Sequence, residues 1–509
     1  MELIKNTINT YDTTAKGTAQ VMTEGDVIVP DIKPDILKLL QVDSDAIITD
    51  KYTENGKLII LGRVNYKILY VPDRENVKIE SMNTSMDFKQ TIDTKNPNAD
   101  VTVLANPIVE RVEFNTVNSR KLHLRAIVHI DYEAYTIIVR ELSVDTDDEN
   151  AEKKIDKISF ENIVNISEHE FTVKERLQIP SGENSICEIL KTDVKIYDTE
   201  CKSVTGKVIT KGELGICILY IDSDGEIKFT ECECPFTEVF YTDDVTDSCV
   251  CDIDYILLNV QSIAEPDIDG DLREISLDID INASLKATNN IDNDILLDCF
   301  VPKMTSECSS EKIILKSTVE RPSVQNTIRE MIELPDNIPS ISEIYNVMTN
   351  AVITKSELNK DKIICEGKIE AYILYLTDSG ENPIYSFKKD IPFSYMIECN
   401  NDTSEMVCDI KADIKHSSYN LNSKGELELR CLLSIECVLT KSYEINNITD
   451  VIVSENKNKH GILICFASKG ESVWDISKRY GVVCENLTKL NNLECDTLEE
   501  NCKLFIPVN

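Results

Sequence analysis

The sequence predicts a mainly β chain: three copies of one β-rich, sandwich- or barrel-like unit, followed by a small α+β module of βααβ order. Three observations carry that expectation. A Pro-to-Gly spacing recurs three times, each copy closes with a long strand of alternating polarity, and residues 461–508 read as strand, helix, helix, strand.

The recurring element comes first, because a repeat constrains every later reading. "VPDIKPDILKLL" (29–40), "IPSGENSICEIL" (179–190) and "LPDNIPSISEIY" (334–345) each place a Pro, five residues, then an Ile that opens an apolar run. Asp35, Ser185 and Ser340 precede that run as N-cap types, so one short helix per copy is expected there. "GRVNYKILY" (62–70), "GELGICILY" (212–220) and "GKIEAYILY" (367–375) follow, each running from Gly to Ile-Leu-Tyr. The Gly falls 32 residues after the Pro every time: 30 to 62, 180 to 212, 335 to 367. Each copy then carries an aromatic in a polar setting, Phe88, Phe236 or Phe393.

The closing strand is clearest in "REISLDIDINASLKA" (273–287), where Ile275, Leu277, Ile279, Ile281, Ala283, Leu285 and Ala287 share one face, as a half-buried strand requires. "LHLRAIVHI" (122–130) and "LELRCLLSIECVL" (427–439) repeat the pattern. A unit of about 120 residues results, with expected bounds 16–140, 166–290 and 320–443. The acidic and polar stretches "SVDTDDENAEKK" (143–154), "NNIDND" (289–294) and "SENKNKH" (454–460) read as linkers.

Composition narrows the function. At 509 residues and 42% apolar, the chain has material for several cores. A formal charge of −37 argues against a nucleic-acid partner, whose phosphates need clustered Lys and Arg. Apolar runs such as "YILLNV" (255–260) fall far short of the roughly 20 residues that cross a bilayer, so no transmembrane segment is expected. The opening "MELIKNTINTYDTTAKG" lacks a basic stretch followed by an apolar one, so no export signal is expected. All 18 cysteines lie between Cys187 and Cys502, and free thiols in a reducing cytosol fit them better than a disulfide framework.

The C-terminal module, 461–508, reads as strand "GILICFAS", helix "SVWDISKRY", helix "ENLTKLNN" and strand "KLFIPV" (503–508). Ser472 is the N-cap of the first helix with Asp475 three residues on, and Gly481 ends it. Val473, Ile476, Ser477 and Tyr480 form its inward stripe, and Trp474, the one tryptophan of the chain, stands beside them. Two readings of Trp474 follow: partial core packing, and an indole edge that anchors a partner.

Catalytic and metal chemistry finds no support in the residue pattern. His123 and His129 share a strand face without a third ligand and read as solvated polar positions. Cys232, Cys234, Cys249 and Cys251 resemble a zinc quartet in spacing, yet the first copy has no cysteine, so the common unit does not need the metal. No phosphate loop or nucleophile elbow occurs. Neither an enzyme nor a cofactor is expected.

With its Pro-led triplicate and Gly-to-Ile-Leu-Tyr strands ahead of "GESVWDISKRYGV", "LTKLNNL" and "LFIP", the chain resembles the SPOCS-domain spore coat morphogenetic proteins of SipL type, and its last module resembles a LysM domain. That resemblance implies a scaffold of the mother-cell cytoplasm, recruited to the forespore surface in encasement by the coat, with the coat basement ATPase SpoIVA and other coat proteins as partners. In LysM domains that hold N-acetylglucosamine polymers, the groove lies between the loop before the first helix and the loop after the second. It carries over to Lys469, Gly470, Glu471 and Ser472, and to Asn492, Leu493, Glu494 and Cys495, with Trp474 and Asp475 on the adjoining helix. Glu471 stands where the family has an aspartate, Asn501-Cys502 where it has Gly-Gln, and Val483 where it has a polar cap. These departures favour a protein partner over glycan, and wall or cortex binding remains the alternative.

Overall fold

The computed structural model describes residues 1–74, 79–94, 101–180, 182–334, 338–377, 383–422, 426–455, 461–493 and 495–508. Pro335, the 456–460 stretch with His460, and Glu494 lie outside them.

Six strands build the first unit: β1 (Leu3–Ile28), β2 (Ile36–Glu54), β3 (Lys57–Pro72), β4 (Glu80–Asp93), β5 (Thr102–Asn118) and β6 (Lys121–Thr146). They make two antiparallel sheets, β1-β6-β5 and β2-β3-β4. The alternating side chains Leu122, Leu124, Ala126, Val128 and Ile130 of β6 pack against Leu58, Ile60, Val64, Tyr66 and Ile68 of β3 to form the sandwich core.

The second unit repeats the plan with β7 (Glu152–Gln178), β8 (Ile186–Val204), β9 (Lys207–Asp222), β10 (Ile227–Tyr241), β11 (Val250–Pro266) and β12 (Leu272–Phe300), in sheets β11-β12-β7 and β10-β9-β8. All seven inward residues expected between Ile275 and Ala287 are buried. In the third unit Pro322, which has no N–H for the ladder, interrupts the first strand, giving β13 (Met304–Glu320) and β14 (Ser323–Ile332). Both pair with β19 (Leu427–Glu455), which β18 (Met406–Leu421) also joins. β15 (Glu343–Asn359), β16 (Lys362–Leu376) and β17 (Ile384–Glu398) form the opposing sheet.

Two sequence expectations fail here. The short helix expected at the start of each copy gives way to a strand: β2 opens at Ile36, β8 at Ile186 and, two residues past Ile341, β15 at Glu343. Bulges between Ile36 and Lys38 and between Leu39 and Gln41 each insert an unpaired residue, and β8 has the same pair at Ile186/Glu188 and Ile189/Lys191. The inserted residues push the apolar positions from a spacing of two to three, which mimics a helix. Much of the described part of the stretches read as linkers is also strand. Residues 289–294 pair with 157–162 inside the β12–β7 ladder, 143–146 end β6, and 152–154 begin β7.

Those misread stretches extend the outer strands past each sandwich as ribbons: the front of β1 against the end of β6, that of β7 against the end of β12, and β13 against the end of β19. The three ribbons pack on one another through Ile8 and Leu142, Ile158, Phe160 and Ile295, and Ile313, Leu315 and Ile445. This is a common stem. Toward the other end, the units meet again through Leu69, Leu219 and Leu374, the central residue of each Ile-Leu-Tyr, with Leu190, Tyr345, Ile79 and Ile384. Each middle strand is thus covered by its own sandwich on one face and by the neighbouring units on the other, which is why three consecutive apolar residues occur there.

Stem and upper cluster make a ring of three units around one axis, with a cavity of about 2700 Å³ between them lined by residues of all three. Ion pairs bind the units laterally, among them Lys33 with Glu188 at 2.7 Å, Lys16 with Asp409 at 3.1 Å and Arg321 with Asp252 at 2.8 Å.

Candidate functional site

The C-terminal module follows the expected order: β20 (Gly461–Ala467), α1 (Val473–Tyr480), α2 (Cys484–Asn491) and β21 (Cys502–Val508), with β20 and β21 antiparallel. Cys465, Ala467, Val473, Ile476, Leu487, Leu504 and Ile506 close its core. Ser472 Oγ accepts from the Asp475 N–H at 3.0 Å, and Gly481 ends α1 at φ 65°. Val483 precedes α2 with no side-chain cap.

The loop before α1 is tied from several sides. The Glu471 carboxylate accepts from the Ser468 N–H at 2.8 Å and from Arg479 at 2.9 Å, and these bonds hold it below the usual carboxylate range. The Lys469 N–H donates to Asn501 Oδ1 at 2.8 Å, so the residue that departs from the LysM pattern has a structural task. Gly470, at φ 88°, donates to the Leu498 carbonyl at 2.8 Å, and Ser472 bridges Thr497. Asn492 ends α2 in the left-handed conformation, and Leu493 is half-buried against the module core. The structure therefore brings Lys469, Gly470, Glu471 and Ser472 beside residues 496–498, next in sequence to Asn492, Leu493 and Cys495. Asp475 is exposed on α1, and Glu494 lies outside the described residues.

Trp474 turns away from that groove. Its Nε1–H donates to Asp298 Oδ2 at 2.7 Å, and its ring meets Phe300 edge-on at 5.1 Å. Lys478, one turn on, pairs with the other oxygen of Asp298 and donates to Cys308 Sγ at 3.5 Å. Burial works against the Lys478 charge, but the bond to Asp298 outweighs it and holds the amine above its ordinary value. The Lys303 N–H donates to the Gly481 carbonyl at 2.7 Å, and a Cβ on Gly481 would lie 3.3 Å from that same nitrogen. The tryptophan is thus an anchor within the chain, docking the module on the tip of the stem. Sequence reasoning missed Asp298, Phe300 and Lys478. Asp298 sits in "ILLDCF" (295–300), whose lone carboxylate in an apolar run was the available signal.

Other candidates stay apart. His123 contacts Asp26 at 2.8 Å and Glu24 at 3.1 Å on the sheet surface, which raises its pKa, while His129 meets Glu110 at 2.9 Å. Cys234 belongs to the second sandwich core and Cys249 to a separate cluster with Val208 and Val245. All 18 cysteines are free thiols. Among the described residues, no helix is long and apolar enough to cross a membrane.

The family model for the SipL SPOCS domain matches residues 35–117, 185–264 and 340–422, and that for the LysM domain matches 468–507. Comparison with curated proteins and with solved structures returns no match. SPOCS and LysM are binding domains, in keeping with the absence of a catalytic motif from the sequence. With three SPOCS matches, one on each unit, and a LysM match on the docked βααβ module, the chain belongs to the SipL-like proteins.

Proposed function

We propose that the chain is a non-enzymatic assembly adaptor of spore coat morphogenesis. It works in the mother-cell cytoplasm, is recruited to the forespore surface, takes the basement ATPase SpoIVA through its LysM module, and meets coat or forespore-surface components through its SPOCS units. The observation that supports this most is the joining of three SPOCS units in one ring with a single LysM module at the stem tip, an arrangement that suits a scaffold linking two kinds of partner.

In this reading the partner contacts Lys469, Gly470, Glu471, Ser472, Asp475, Asn492, Leu493 and Glu494. Trp474 joins them only when its docking on Asp298 opens. A second reading, binding of peptidoglycan or other N-acetylglucosamine polymers, draws on the preserved LysM backbone. Titration of the full chain against purified SpoIVA and against chitin oligomers separates the two. Capture of the ATPase, lost on truncation after Glu455, is the expected result; tight glycan binding without ATPase binding would assign the protein to wall or cortex.

A further inference from the structure

The contact between stem and module holds two sulfurs. Cys308 of β13 is half-buried, its thiol donates to the Cys299 carbonyl at 3.2 Å, and Lys478 of α1 reaches its sulfur. Cys299, at the end of β12, is buried in a small cluster with Leu296, Ile448 and Val451, against which Cys308 packs. The chain thus places two thiols together at the stem tip and sets a cation from another domain on the more accessible one.

We propose that Cys308 and Cys299 form a thiol–disulfide exchange site, with Cys308 as the attacking sulfur and a small soluble disulfide of the glutathione class as co-substrate. The Cys308 thiolate attacks one sulfur of the small disulfide. That S–S bond breaks, one small thiolate leaves and takes a proton, and a mixed disulfide remains on Cys308. Cys299 then releases its proton and attacks the Cys308 sulfur, so that a Cys299–Cys308 bond forms and the second small thiol departs. Two protein thiols are oxidised, and one disulfide is reduced to two thiols.

The local chemistry suits this order. Contact with the Cys299 thiol, aided by the charge of Lys478, lowers the Cys308 thiol to about 7, whereas the Cys299 thiol is pushed up by the same contact. Thiolates near neutral pH are the efficient attackers. Since Lys478 belongs to the module and both cysteines to the stem, oxidation removes the sulfur anion that faces Lys478. Docking and sulfur reactivity are therefore coupled, and the coupling runs in both directions.

The test uses the full chain near neutral pH. With iodoacetamide, Cys308 is expected to react at least about tenfold faster than Cys251, a half-buried cysteine whose thiol burial pushes up to about 12. Lys478→Gln should slow Cys308 several-fold and leave Cys251 unchanged. With excess oxidised glutathione, a non-reduced digest should yield the Cys299–Cys308 crosslink, and Cys299→Ser should trap the glutathione adduct on Cys308. Equal alkylation rates for Cys308 and Cys251, or neither crosslink nor trapped adduct, would overturn the proposal.

Discussion

The ring of Phe393 lies on the bare backbone of Gly367, its directly paired neighbour across the β16–β17 ladder. Phe88 covers Gly62 and Phe236 covers Gly212 in the same register. The Gly placed 32 residues after each Pro therefore answers an aromatic on the next strand, and a Cβ there would meet the ring at all three positions and also a backbone carbonyl at two, that of Ile47 at Gly62 and that of Val352 at Gly367. An aromatic seated on a strand glycine restores the packing that the missing side chain forgoes.

Gly367→Ala is accordingly expected to cost about 3 kcal/mol, the upper range for an overpacked core. Gly212→Ala should cost less, because the obstructing atoms are the edge of Phe236 at 2.8 Å and a Thr199 methyl at 3.1 Å, both side chains. Denaturant midpoints of the two variants give the comparison, and equal or negligible losses would contradict it.

Lys191, buried where the three units meet, pairs with Asp43 of the first and, at 2.9 Å, with Asp193 of its own, which also accepts from Tyr345 of the third at 3.3 Å. Lys191→Met leaves two carboxylates without their cation and should cost about 3–5 kcal/mol, partly recovered by adding Asp193→Asn. The Lys191 pKa is raised, the attraction of Asp193 and Asp43 outweighing burial, and that of Tyr345 is raised by burial. For a raised group the contribution is complete below the unfolded value and fades as pH climbs through the folded one. Stability should thus be insensitive to these groups at neutral pH and decline above about pH 10, as a melting series would register.

Because Trp474 is the one tryptophan, its emission reports the docking of the module directly. Asp298→Ala removes the acceptor of both the indole N–H and Lys478, weakening the contact by about 1–3 kcal/mol. The emission should move to longer wavelength without loss of the β-sheet circular dichroism signal. An unchanged spectrum would mean that Phe300 and the Lys303–Gly481 bond hold the module unaided.

On the partner side, Lys469→Glu and Asp475→Lys test the proposed capture of the ATPase. Lys469→Glu should weaken it while stability stays within about 0.5 kcal/mol of the parent, since Lys469 bonds to Asn501 through its backbone N–H. Asp475→Lys also reverses a favourable charge at the helix N-terminus, a further cost of about 1 kcal/mol. Glu471→Gln behaves differently. Its lowered carboxylate contributes stability that is present above the ordinary glutamate value and lost as pH falls through the folded one, so the variant should flatten the acid limb of module unfolding.

What the sequence disclosed followed from the regularity of its signals. Long unbulged alternation, as in Ile275–Ala287, revealed strand and face together, and Ser472, Asp475 and Gly481 fixed both ends of α1. Bulged β2 and β8 misled because an inserted residue converts the strand period into a helical one. The stem was hidden for another reason. In "NNIDND" the chain exposes alternate polar residues, and the ladder partners of Ile291, Ile158 and Ile313, which are Phe160, Asn293 and Ile445, lie more than a hundred residues away, so no local period reveals that three ribbons share a core. The groove residues 469–472 were legible from loop spacing, whereas the docking of Trp474 depends on Asp298, which neighbours it only in space.

A ring closed within one polypeptide does not dissociate on dilution, as a trimer of separate subunits would, because the second and third units arrive at a fixed local concentration. It also has an order of assembly imposed by synthesis. Until Tyr345, Leu374 and Ile384 emerge, the apolar faces of Leu69, Leu190 and Leu219 have no third wall. A chain cut short after the second unit would present those faces to solvent, so premature ends in this gene should yield aggregation instead of a smaller working scaffold.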